Sequence, residues 1–141
     1  MSWQAIQTLL DTQVATVADL PTLITENMFT EKTITTTLAA QKTAYTRTSL
    51  LPSETEPFTL GTAGEDRYQG LYQVSLFYPE GDLVEGSNVM ADRIIAKYTR
   101  STLLTDGSVT VRIWRSWREI GIQSSFWYHL PVTVRWSSEI S

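Results

Sequence analysis

Near the C-terminus, Phe126, Tyr128, Leu130, Val132, Val134 and Trp136 place a large apolar side chain at every second position. No other feature constrains the fold as tightly. Successive side chains of a strand point to opposite faces, so this spacing describes one strand with a whole face committed to a core. Trp127, His129, Thr133 and Arg135 share the other face. Pro131 belongs to that second set and has no N–H to give to a ladder. It predicts that the strand lies at a sheet edge or carries a bulge.

A second strand is expected over Arg67–Tyr78. It differs in being apolar on both sides, with Tyr72, Val74, Leu76 and Tyr78 on one face and Leu71 and Phe77 on the other. Such strands are covered on both faces. One cover is expected to be helical and the other a neighbouring subunit. Shorter strands are predicted at Leu23–Glu26, at Tyr45–Leu51 before Pro52, and where Val109, Val111 and Ile113 alternate with Thr110 and Arg112. Pro79-Glu80-Gly81-Asp82 and Asp106-Gly107 mark turns.

Two segments follow the helical period instead. Trp3, Ile6, Leu9, Leu10 and Val14 form a stripe behind Ser2, a capping residue, and end before Asp19-Leu20-Pro21. Met90, Ala91, Ile94, Ile95 and Tyr98 form a second stripe, with Ser87 as the expected cap and Asp92, Arg93, Lys97 and Arg100 facing outward. Residues 27–43 show no apolar period and crowd six threonines, at 30, 33, 35, 36, 37 and 43; a long loop or projecting hairpin arm is expected over 27–44. The order α-β-β-β-α-β-β predicts an α+β fold over residues 1–141. Its sheet is mainly antiparallel, of four to five strands, with two helices packed on one face.

With 141 residues, one domain can bury roughly two-thirds of its unfolded surface. There is no cysteine, which excludes disulfides and thiol chemistry. No secretory signal and no run of about 18 apolar residues is apparent, so the chain is expected to be made and used in cytosol, without a membrane. Charged residues are 18% of the chain, below the usual share of about 25%, a hint of assembly. The net charge of −4 disfavours bulk nucleic-acid binding. The charge is also unevenly distributed. Residues 1–92 carry four basic and twelve acidic side chains, net −8, and residues 93–141 carry seven basic and three acidic, net +4. In a ring of identical subunits this split sets partner orientation; solvated faces of a monomer would produce it equally well.

Catalytic constellations are weak. His129 stands in a strand without a serine or carboxylate pattern around it. Glu54, Glu56, Glu65 and Asp66 form an acidic loop between Ser53 and Asp66, but nothing places a pair of them against a buried wall that would tune acid–base chemistry. Gly61, Gly64 and Gly70 lack the lysine and following helix of a phosphate loop, and no metal-ligand spacing occurs. No cofactor is expected, and the chain is not expected to be an enzyme. Trp114, Arg115, Trp117 and Arg118 interleave aromatic and basic groups. That pattern fits a protein interface, a single-stranded nucleic-acid platform, or core tryptophans capped by arginines.

Three tracts together resemble a known family: Ser2-Trp3-Gln4-Ala5-Ile6; Arg67-Tyr68-Gln69-Gly70-Leu71-Tyr72-Gln73-Val74, running on to Phe77-Tyr78-Pro79-Glu80-Gly81; and Trp127-Tyr128-His129-Leu130-Pro131-Val132-Thr133-Val134-Arg135-Trp136. Leu51-Pro52-Ser53-Glu54, Thr59-Leu60-Gly61 and Ala91-Asp92-Arg93-Ile94 extend the likeness. The chain is similar to the tail terminators of long-tailed phages over nearly its whole length. Residues 28–44 depart from that pattern.

The resemblance implies a structural virion protein without catalytic residues. It would form a hexameric ring at the head-proximal end of the tail, assembled in the host cytoplasm. Such a ring stops tube polymerisation and offers a surface for head–tail joining, so its partners would be other copies of itself, the tail tube protein and a connector or stopper protein. DNA would pass through without specific binding. On this reading the candidate subunit or tube interface comprises Tyr72, Phe77, Trp114, Arg115, Trp117, Arg118, Trp127 and His129. Glu54, Glu56, Glu65 and Asp66 would line the lumen and repel DNA. Another connector or neck ring protein, and a single-stranded nucleic-acid binder, are the competing readings.

Overall fold

In a computed structural model the described residues are 3–24, 44–53, 56–57, 66–79, 84–107, 109–123 and 127–140. The expected arm at 27–44 falls outside them except for residue 44.

The two longest strands, β4 (Asp66–Pro79) and β8 (Trp127–Ile140), pair antiparallel from Asp66↔Ile140 to Pro79↔Trp127 without a break. The other strands build outward from this pair. On one side β2 (Tyr45–Pro52) pairs antiparallel with β4, and β1 (Thr22–Ile24) adds to β2 in parallel. On the other side β6 (Thr110–Arg118) pairs with β8, and β5 (Leu103–Thr105) with β6. The sheet order is β1-β2-β4-β8-β6-β5. Two-residue strands complete it: β3 (Glu56–Pro57) beside β4 and β7 (Ile122–Gln123) beside β8. The fold is α+β, with a curled, mainly antiparallel sheet, as expected.

The placement of Pro131 corrects the sequence reading. Its strand is central, not an edge. The proline is tolerated because β8 changes partner there, with β6 pairing as far as Arg118↔Val132 and β7 starting at Ile122↔His129. In the gap the Glu119 N–H donates to the Pro131 carbonyl (2.8 Å). Carbonyl and nitrogen of one strand residue face the same neighbour, so the missing N–H is turned to this gap and the β4 ladder loses nothing. Gly70 is explained by a close approach across the ladder. A Cβ there would lie 2.5 Å from the Leu51 carbonyl oxygen, so only glycine lets β2 stay paired to its end at Pro52.

Both helices lie on one face. α1 (Trp3–Ala15) buries Ile6, Leu10 and Val14. It closes with two tight-turn bonds, Thr16 N–H to the Gln13 carbonyl and Val17 N–H to the Val14 carbonyl, before Asp19 turns the chain at φ 58°. α2 (Val84–Lys97) buries Met90, Ala91 and Ile94, with Tyr98 just beyond. It starts before the expected cap, at Val84, so Ser87 is a buried residue inside the helix and not its cap. The sheet contributes Tyr72, Val74, Leu76, Leu130, Val132, Val134 and Trp136 to this core. Trp3 packs edge-on to Trp136 (5.8 Å).

Three polar groups pin α1 in place. Asp11 accepts hydrogen bonds from the Tyr72 hydroxyl and from Thr48 Oγ1 (3.1 Å). The Tyr98 hydroxyl donates to the Leu10 carbonyl (2.6 Å). Gln13 Nε2 donates to the Lys97 carbonyl, one of the unpaired acceptors at the end of α2 (2.9 Å). Burial pushes the Tyr72 and Tyr98 phenols well above their usual range, with neighbouring Tyr98 and Asp11 adding to the effect at Tyr72. Both remain donors at any ordinary pH. Tyr72→Phe removes one donor from a part-buried carboxylate and should lower unfolding free energy by about 1–3 kcal/mol, read as a reduced midpoint in urea. Because Tyr72 is fully buried, the variant should leave self-association unchanged.

Candidate assembly surface

The other face of the sheet carries Tyr45, Arg47, Ser49 and Leu51 from β2, Arg67 to Pro79 at alternate positions from β4, and Trp127 to Ser137 at alternate positions from β8. Neither helix lies over it. Its small residues, Ser75, Pro131, Thr133 and Ser137, sit buried in the floor of the curled sheet, and larger groups stand around them.

An aromatic row crosses this face at one register. Tyr45, Phe77, His129 and Ile122 are paired in succession across β2, β4, β8 and β7. The Tyr45 and Phe77 rings stack at 4.7 Å and 8°. Phe77 and His129 stack at 4.4 Å and 8°. Trp127 meets Tyr45 edge-on at 5.1 Å. Such pairs add about 0.5–1.5 kcal/mol each beyond area burial, so this row is preorganised, with Tyr45 buried and Phe77, Trp127 and His129 partly exposed.

A bulge in β6 arranges the second cluster. The register slips between Ile113, opposite Trp136, and Arg115, opposite Arg135. Ile113 therefore faces the core, while both Trp114 and Arg115 face outward on the open side. Trp114 Nε1 donates to Ser137 Oγ (2.7 Å). Arg115 lies over the Trp117 ring (4.7 Å) and Arg112 over the Trp114 ring (5.7 Å). Trp117 Nε1 and Thr133 Oγ1 both donate to Glu119 Oε1, at 2.8 and 3.1 Å.

The open face thus gathers Phe77, Trp127, His129, Trp114, Arg115 and Trp117 from the expected interface set. Two members belong elsewhere. Tyr72 is a core residue under α1. Arg118 points to the helical side, where it donates to Asn88 Oδ1; one register step past Trp117 reverses its face. Of the acidic set, Glu54 and Glu65 lie outside the described residues. The expected loop is interrupted by β3, where Glu56 pairs with Arg67 and Pro57 with Asp66. Tyr45, Leu51, Leu103 and Ile122 join the open face without having been expected. Only the cross-strand register brings them there, and a single sequence does not encode that register visibly.

Among the described residues six large apolar side chains are exposed, and four of them, Leu51, Leu103, Trp114 and Ile122, lie on this face at 39–56% exposure. Apolar exposure concentrated on one side marks an interaction surface. Trp and Arg beside it are the residue types that anchor such contacts.

A family model described as phage tail terminator protein matches residues 3–136, nearly the whole chain. The chain belongs to the phage tail terminator family. It is therefore a structural component of a phage tail. No curated protein matches it. One solved structure, whose name conveys no function, is similar over 100% of this chain and 98% of its own, at 19% identity and a TM-score of 0.71. That likeness shows the fold. No helix among the described residues is long and apolar enough to cross a membrane.

His129 supplies a test of how the aromatic row is solvated. Its Nε2 is buried without a hydrogen-bond partner. Burial, and then the Arg47 charge, lower its pKa. The folded protein thus disfavours the protonated imidazole, while the unfolded chain protonates it near the ordinary value of about 6.5. The unfolded state binds more protons below that value, so this contribution is present above it and is lost as pH falls through it. Between about pH 7 and pH 5.5 the thermal midpoint of the wild type should fall more steeply than that of His129→Phe, which keeps the stack and cannot titrate. Parallel profiles would show the imidazole is not held neutral.

Proposed function

We propose that the tail terminator fold of this chain forms a ring that caps the tail tube, stops its polymerisation and presents a surface for head–tail joining. The observation that carries this reading is the open sheet face. Among the described residues it holds four of the six exposed large apolar side chains and a preformed aromatic row, and neither α1 nor α2 lies over it. Its exposed apolar side chains stay in contact with water in a monomer, whereas a subunit in contact with a neighbour buries them. A closed ring needs two different patches on each subunit, and the opposite charge of the two parts of the chain suits such head-to-tail contact.

The role is structural. The ring contacts copies of itself, the tail tube protein on one side and a connector or stopper protein on the other, at the head-proximal end of the tail. DNA passes through without specific binding, and the acidic segment containing Glu54, Glu56, Glu65 and Asp66 lines the passage. Assembly takes place in the host cytoplasm.

Purified protein added to growing tail tubes should halt elongation and appear as an extra disc at one end in negative stain. Phe77→Ala with Trp127→Ala should abolish capping while the far-ultraviolet circular dichroism stays native. Tubes that lengthen equally with and without the protein would rule the function out. Capping that survives the double variant would move the contact off the aromatic row.

A further inference from the structure

Beside the Trp114 bulge the sheet opens into a cleft of about 550 Å³, whose walls include Arg67, Arg100, Arg115 and Arg135 together with Trp114 and Ser137. Four guanidinium groups converge from β4, β6, β8 and the turn after α2. No acidic side chain is among the described residues that line the cleft, and Glu139 stands opposite Arg67 in the β4–β8 ladder. Arg115 and Arg135 are directly opposite each other in the β6–β8 ladder, an arrangement that is destabilising for like charges. Arg100, Arg115 and Arg135 are exposed and have no anionic partner among the described residues. The nearest carboxylate on this face of β6, Glu119, is engaged by Trp117 and Thr133.

We propose that this cleft seats carboxylate side chains of a second copy of the chain, forming one half of the head-to-tail contact between subunits. The proposal rests on the ring reading and names the chemistry of its joint. Charge complementarity identifies the occupant. Three of the four cleft arginines come from residues 93–141, net +4, whereas residues 1–92 carry twelve acidic side chains against four basic ones. A neighbouring copy therefore offers an excess of carboxylates, and the guanidinium fork matches a carboxylate with two parallel hydrogen bonds. A phosphodiester backbone would meet the same arginines, but it would also meet a chain of net charge −4, the opposite of the basic balance that nucleic-acid binding needs.

The test uses full-length protein, with mass followed by light scattering across concentration and salt. Wild type should self-associate, and association should weaken as the Debye length falls from about 10 Å at 0.1 M to about 3 Å at 1 M salt. Arg115→Glu places a carboxylate opposite Arg135, so the fold should hold while the net charge of the cleft arginines falls from +4 to +2; association should weaken at least about tenfold. Arg135→Glu should behave alike, and Arg93→Glu, on the far side of the molecule, should associate as wild type does. Circular dichroism confirms the fold of each variant. Variants at 115 and 135 that associate like wild type would overturn the cleft contact and leave the ring standing. A fluorescent oligothymidylate bound by wild type and released by Arg115→Glu would assign the cleft to nucleic acid and overturn the proposal. A wild type that remains monomeric both alone and on purified tail tubes would remove the ring reading and this contact with it.

Discussion

The unbroken pairing of β4 with β8 is the constraint on which the rest of the structure depends. Fourteen residues of each strand are in register, and they join parts of the chain about sixty positions apart. Every other strand of the sheet is reached from one of these two, and both helices pack against them. A one-residue slip would turn Tyr72, Val74, Leu76, Leu130, Val132, Val134 and Trp136 from the core to the open face. The cost of that slip locks the register. Because so many contacts are distant in sequence, closing this ladder is also expected to be the slow step of folding.

That single register creates two faces of different character. The helical side is filled by aliphatic side chains and by tyrosines whose hydroxyls find Asp11 and the Leu10 carbonyl. The opposite side has small polar residues in its floor and aromatic or cationic groups above them. Serine and threonine keep the floor shallow enough for a partner to approach. The stacked Tyr45–Phe77–His129 row and the Trp–Arg pairs supply rigid groups that lose little conformational freedom on contact. One ladder thus provides both the stability of the subunit and the surface proposed for assembly.

Much of this was legible in the sequence wherever periodicity is strong. The two-residue spacing from Tyr128 to Trp136 and the helical stripes of Ile6, Leu10 and Val14, and of Met90, Ala91 and Ile94, appear in the structure as expected. So does the two-sided apolar character of β4. Less legible were features set by tertiary geometry. Pro131 suggested an edge because a lone strand does not reveal that its neighbour changes from β6 to β7 at that residue. Tyr72 counted as a surface candidate because its polar partner, Asp11, is sixty-one residues away. The Trp114–Arg118 run seemed one cluster, yet the bulge places Trp114 and Arg115 together and the next reversals send Arg118 to the helices. Local pattern fixes a face only while the ladder is regular.

The sheet's ends bear on how such a subunit can associate. Among the described residues its outermost strands are β1 and β5, each three residues long. Each short strand offers few backbone groups for another chain to pair with, and each covers only part of the longer strand beside it, β1 Tyr45–Arg47 of β2 and β5 Thr110–Arg112 of β6. Side chains for contact are offered by the open face and the arginine cleft. Side-chain surfaces fix the angle between neighbours more strictly than an extendable strand edge does, since each anchor fits one orientation. A fixed angle between unlike patches closes into a ring when the rotation divides the circle and runs on as a filament when it does not. For a protein proposed to end a polymer, the directional face would have to set an angle that closes.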